Sequence, residues 1–399
     1  MSFVDYVNNR VLWWDRKSTV IPMDVRGMIR VCNTRQIPVF LEINYSDYVP
    51  GLPGTGVESL QRADNIAGTI AYLKALNAEG LHLAGITFGD EFQDNAGYGN
   101  LKPTTFNTDL IGRFINYARA LKSEFPELKV YAFDSDIMSA RGEISTYWPI
   151  LRKIRRAEID QGFYLLDGFT FHQSYPYIND QGQLLDSQFI LDDTESLYRN
   201  APVYRYDVTG VTRKKSNRDY LHQIIDNTSS IFGRTLDIGN TEYLPSGPIQ
   251  ISEIDTSRYS DMDFILHYSD VIGIYAELGL DAVSTIMFGD SVDMHKAYFD
   301  RKGNLGVNYP VHEQLAKHFA GEILNVDRSI DYDNLKVKVY AAQQDSEIFV
   351  MILNKDVNNE ATVRIILSGQ FDLIIRLPRR SYTSLIVDEK SITVSGIGN

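Results

Sequence analysis

A single cysteine, Cys32, stands in a chain of 399 residues. One thiol excludes an intrachain disulfide, and its helical, apolar surroundings make it a small buried hydrophobe. No apolar run approaches the roughly 18 residues that a membrane-crossing helix needs. Residues 1–10 have no basic stretch ahead of an apolar core, so they do not read as a signal peptide. As written, the chain is expected in the cytoplasm; a chain that has lost its export signal is expected outside the cell. Cations are scarce too: 39 Lys and Arg face 52 Asp and Glu, a net charge of −13. That balance excludes a nucleic-acid surface, which requires a basic stripe. The clusters at 152–156 and 213–215 are too small to form one and read as a solvated helix face and a loop. No G-x-G-x-x-G or Walker A pattern occurs, and no G-x-S-x-G elbow supports a Ser/His/Asp triad. No His, Cys and acid residues share metal-ligand spacing, so neither metal nor cofactor is expected.

What the chain has in quantity is apolar and aromatic surface. Hydrophobic residues make up 44% and aromatics 12%, which supports a large core and excludes wholesale disorder. The length fits one large domain with a small one, or three of average size. Up to about residue 320, strand-length apolar runs alternate with helical periodicity. Strands are predicted over 37–44, 83–88, 129–133, 165–173, 249–254 and 282–288. Helices are predicted over 58–77, 107–124, 143–160, 218–232, 260–278 and 310–319, and helical spacing also marks 23–34. The segment 178–213 reads as polar and irregular. Strand–helix alternation of this kind means a parallel sheet. From about 324 the period changes. Short alternating runs at 335–340, 347–353, 360–367, 371–376, 381–387 and 391–394 predict a small antiparallel β-sandwich. The expected domains are therefore 1–323 and 324–399.

Polar residues gather where the predicted strands end: Asn44, Asp90 and Glu91, Asp134, His172, Glu253 and Asp290. The carboxyl ends of strands carry the active sites of α/β folds, and without a nucleotide loop a (β/α) barrel is preferred to an open sheet. Two of these acids invite pairing. The run from Gly85 to Phe88 stops at Asp90 and Glu91, and the run from Ile249 stops at Glu253. Two carboxyls about 5–5.5 Å apart across a pocket hydrolyse a glycoside with retention, one as nucleophile and one as acid/base. Phe88 and Phe92 flank Glu91 and would help it keep a proton, while His172 and Tyr175 could hold Glu253 ionised. Glu242 and Asp255 are set aside, because Glu242 precedes the predicted strand and Asp255 lies on its opposite face.

These residues resemble the clan A retaining glycoside hydrolases, TIM-barrel β-glycosidases that often carry a C-terminal β-sandwich. The clan's acid/base usually follows strand four as Gly-Asn-Glu, and Gly89-Asp90-Glu91 matches it. Its nucleophile ends strand seven as Thr-Glu or Ser-Glu, matched by Ser252-Glu253. Strand six commonly carries a His and a Tyr, as in the run through His172, Tyr175 and Tyr177. The resemblance implies catalysis by Glu91 and Glu253, with Asp90, Asn44, His172, Tyr175, Tyr177 and Phe288 in contact with a carbohydrate substrate. Phe92 and Tyr98 would add stacking surface. Asp90 departs from the pattern: an Asn there donates to a sugar hydroxyl, whereas a carboxylate only accepts and raises the pKa of Glu91. The strand at 37–44 matches the clan's third, which leaves too little chain ahead for two more. The implied fold is a (β/α)8-type TIM barrel, either incomplete with about six recognisable strands or lacking its N-terminal part. The alternative is a non-catalytic carbohydrate-binding or structural protein on the same scaffold.

Overall fold

A computed structural model of the chain describes residues 2–5, 10–13, 20–21, 30, 33–34, 39–43, 66–90, 108–134, 148–174, 188, 191–192, 217–244, 259–285, 305–327, 336–367, 371–388 and 391–398. Two compact units emerge. The first comprises Met1–His172 and Ile225–Gly239; the second comprises Gln173–Ile224 and Asn240–Asn399.

The first unit opens on an antiparallel sheet of β1 (Ser2–Asp5), β2 (Arg10–Trp13) and β3 (Val20–Ile21). Strands and helices then alternate along the chain: β4 (Val39–Ile43), α1 (Ile66–Ala78), β5 (Leu83–Asp90), α2 (Thr108–Glu124), β6 (Lys129–Asp134), α3 (Trp148–Gln161), β7 (Gly168–Ser174), α4 (Asn217–Phe232) and β8 (Asp237–Leu244); of the last two, only Ile225–Phe232 and Asp237–Gly239 belong to the first unit. The strand order is β4-β5-β6-β7-β8, and β4 to β7 pair in parallel. The helices form because each has an apolar face. On α2, Ile111, Phe114, Tyr117, Ala118 and Leu121 recur at helical spacing, and all are buried. They cover the sheet: Phe88 of β5 meets Phe114 and Tyr117 edge-on, at centroid distances of 5.0 and 5.8 Å.

Strand β7 starts three residues later than the sequence suggests, for a local reason. Leu165 and Leu166 are buried, but their amides donate to Oε1 of Glu158 at 2.9 and 3.1 Å instead of joining the ladder. Arg234 clamps both oxygens of that carboxylate at 3.0 Å, and Arg155 reaches it at 3.2 Å. A buried carboxylate is tolerated when it is paired and hydrogen-bonded in this way.

The second unit holds the rest of β8 with β9 (Ala282–Thr285) beside it in the strand order. It also holds α5 (Asp261–Glu277) and α6 (Tyr309–His318). The strands β10 (Glu322–Leu324), β11 (Val337–Gln344), β12 (Glu347–Asn354), β15 (Ser381–Val387) and β16 (Ile392–Gly398) make an antiparallel sheet in that order. A ribbon of β13 (Ala361–Leu367) and β14 (Phe371–Leu377) packs Val363, Ile365, Leu373 and Ile375 onto that sheet's core of Val339, Val350, Ile352 and Leu385. The alternating runs at the end of the chain thus become two antiparallel sheets sharing one core. Three residues of the segment expected to be irregular are described, and they are tied down here. Gln188, Leu191 and Asp192 are helical; Asp192 accepts from Lys336 at 2.9 Å, and the Gln188 side chain reaches Val357 N at 2.9 Å.

Candidate active site

The parallel sheet curls. In a flat sheet, β5 and β7 would stand two spacings apart, about 9.5 Å, with β6 between them. Yet the Thr87 and Thr170 hydroxyls are 3.4 Å apart and buried. The face bearing them is therefore strongly concave. Two glycines let rings lie on that face. A Cβ on Gly85 would come within 2.5 Å of the Phe40 ring, and one on Gly168 within 2.1 Å of the Tyr131 ring. Phe40 and Tyr131 meet edge-on at 5.3 Å. Tyr131 donates to Asp237 Oδ2 at 2.8 Å, and Lys129 pairs with the same oxygen. Asp237, the first acid of β8, is thereby tied through one carboxylate oxygen at the amino end of the strands.

The opposite, carboxyl ends carry the acids. Asp90 closes β5 in register with Asp134, which closes β6. His172 lies within β7. Glu91, Glu253, Asn44, Tyr175, Tyr177 and Phe288 lie outside the described residues, as do Phe92, Tyr98, Cys32 and Asp290. Two sequence expectations change. Phe88 is not available to line a pocket at Glu91, because its ring is fully buried against α2. Glu242 does not precede its strand: the strand that follows α4 is β8, and Glu242 lies inside it, two residues from its carboxyl end. The run at 249–254, on which that expectation rested, lies outside the described residues. The sequence pattern does not predict β8, because Gly239, Asn240, Thr241 and Glu242 interrupt its apolar run; the Asp237 amide nonetheless continues the ladder to Asp167 O at 3.0 Å. Among the described residues, no group of three or more His, Cys, Asp or Glu could hold a metal ion. Among them, too, no helix is long and apolar enough to cross a membrane.

No protein-family model and no curated protein matches the sequence. Solved structures do. The family 44 endoglucanase Cel44A from Clostridium thermocellum superposes with a TM-score of 0.61 at 14% identity, over 91% of this chain and 83% of that one. A Paenibacillus polymyxa family 44 xyloglucanase, solved with xyloglucan, gives 0.58 at 12% identity, over 91% and 83%. The family 51 α-L-arabinofuranosidase AbfB from Bifidobacterium longum gives 0.56 at 14%, over 92% and 79%. The chain shares the fold of these glycoside hydrolases. In such a fold, the carboxyl ends of the strands, which Asp90 and Asp134 close in β5 and β6, are where α/β enzymes place their chemistry.

Proposed function

We propose that the chain is a glycoside hydrolase that cleaves β-glycosidic bonds of a poly- or oligosaccharide with retention, on a clan A barrel followed by a β-sandwich. The observation that carries this reading is the likeness to polysaccharide hydrolases across nine tenths of the chain, 91% for Cel44A. Glu91 protonates the leaving oxygen, and a second glutamate attacks the anomeric carbon. Glu91 then deprotonates the water that releases the sugar. Glu91 has the parity of Thr87, and the curled sheet turns the Thr87 face inward. Asn44, Asp90, His172, Tyr175, Tyr177 and Phe288 are the proposed sugar contacts.

Glu253 is the nucleophile suggested by the sequence. A second reading, Glu242, is favoured by its position inside β8 and by Thr241 before it, the same dipeptide pattern. Glu242 differs in parity from Asp237, so this reading also asks for a one-residue bulge in β8, a device common beside active sites. Turnover of chromogenic β-glycosides and polysaccharides by Glu91→Gln, Glu242→Gln and Glu253→Gln separates the readings. Loss of about 10⁴-fold or more marks the nucleophile, since removing a member of a catalytic unit costs on that order. If the unchanged chain binds polysaccharide but hydrolyses none, the non-catalytic alternative that Asp90 favours replaces this proposal.

A further inference from the structure

The surface of the first unit carries a cationic groove that the glycosidase reading leaves unused. Arg152, Arg155, Arg156 and Ile159 of α3, with Ser230 and Ile231 of α4, line a shallow depression of about 350 Å³. In a chain of net charge −13, this is a local reversal of sign. Its acids are already engaged. Glu158 is buried and clamped by Arg155 and Arg234, and Asp160 meets Arg156 in an exposed pair at 3.2 Å. Arg152 and its neighbour Lys153 have no acidic partner among the described residues.

Beside the groove stands an exposed apolar surface. Tyr164 is 57% exposed, Phe163 41% and Ile159 59%. The Tyr164 ring is held in place from one side, because the Arg234 guanidinium lies 4.0 Å from its centroid. That guanidinium is itself fixed by both oxygens of Glu158 and by the Leu166 carbonyl. A ring anchored on one face and open on the other is a preorganised platform for the apolar face of a sugar. The groove and the platform are linked through Arg155, Glu158 and Arg234.

We propose that this surface binds a carboxylate-bearing polysaccharide: the arginines take the carboxylates and Tyr164 stacks on a sugar ring. The inference rests on the carbohydrate reading above and adds a docking site separate from the strand ends. Arginine suits carboxylate because its planar fork binds it in bidentate fashion.

The test is affinity electrophoresis of the full chain through gels containing polygalacturonate, its methyl-esterified neutral form, or poly-L-glutamate. Polygalacturonate should retard the chain most. Arg152→Ala with Arg156→Ala, and separately Tyr164→Ala, should each weaken binding about tenfold, a factor that corresponds to about 1.4 kcal/mol. All three residues are exposed or half-exposed, so folding should survive, and turnover of small chromogenic glycosides should stay unchanged. Equal retardation by poly-L-glutamate, or by the esterified polymer, overturns the proposal, as does binding that the variants leave intact. Retention of binding in Glu91→Gln supports it. A chain that binds polygalacturonate through these residues yet hydrolyses nothing refutes the hydrolase reading and leaves this site standing.

Discussion

Lys355 and Asp270 are both fully buried, with Nζ and Oδ2 2.6 Å apart. Tyr340 donates to the other oxygen of Asp270 at 2.5 Å, and Lys355 also donates to Leu191 O. Every charge in this knot has a partner, so removing one strands another. Asp270→Ala should cost about 3–5 kcal/mol in denaturant unfolding, more than the double change of Asp270→Leu with Lys355→Met, which leaves no orphan charge. A double variant less stable than Asp270→Ala would contradict this account. His267, one turn from Asp270, is fully buried, and burial pushes its pKa down to about 3; Asp270 opposes that shift and Lys355 adds to it. The unfolded chain therefore binds a proton on His267 between about pH 6.5 and 3 that the folded chain does not. Stability from this residue is present above about pH 6.5 and is lost as pH falls, by up to about 1.4 kcal/mol per pH unit. His267→Gln should flatten the decline in urea midpoint between pH 7 and 4. Parallel profiles for the two proteins would count against it.

At the scale of elements, α5 shows how far local rules reach. Ser260 caps it: its hydroxyl accepts from the Asp263 amide, and the Asp263 carboxylate accepts from the Ser260 amide. This reciprocal box is legible in sequence. Ser260→Ala should lower stability by about 1 kcal/mol. Gly273 inverts the usual expectation. A glycine inside a helix normally costs about 1 kcal/mol relative to alanine. Here a Cβ would come within 2.4 Å of the Tyr340 ring on β11. Gly273→Ala should therefore destabilise, by about 1–3 kcal/mol as overpacked sites do. A raised melting temperature would show that the ring yields.

Across the whole molecule, charge makes a simple prediction. The excess of acids gives an isoelectric point near 5.0. Solubility should pass through a minimum there, because net repulsion between molecules vanishes. Precipitation assays from pH 4 to 8 check it. The same excess makes the arginine groove on α3 distinctive. In sequence, Arg152, Lys153, Arg155 and Arg156 read as an ordinary solvated face, because nothing local says that Glu158 turns inward or that Arg234 arrives from far down the chain.

The sequence by itself determined the type and order of most elements: helices such as α2 and α5, strands such as β5 and β6, and the antiparallel ending. Those follow from periodicity, which depends on neighbours three, four or two residues away. Tertiary structure decided the rest. It alone made β8 a strand despite Gly239, Asn240, Thr241 and Glu242, because pairing beside β7 supplies hydrogen bonds that composition does not advertise. It alone curled the sheet until Thr87 met Thr170. It alone joined Lys355 to Asp270 across 85 residues. Each of these depends on contacts between residues far apart in the chain, which no local pattern specifies.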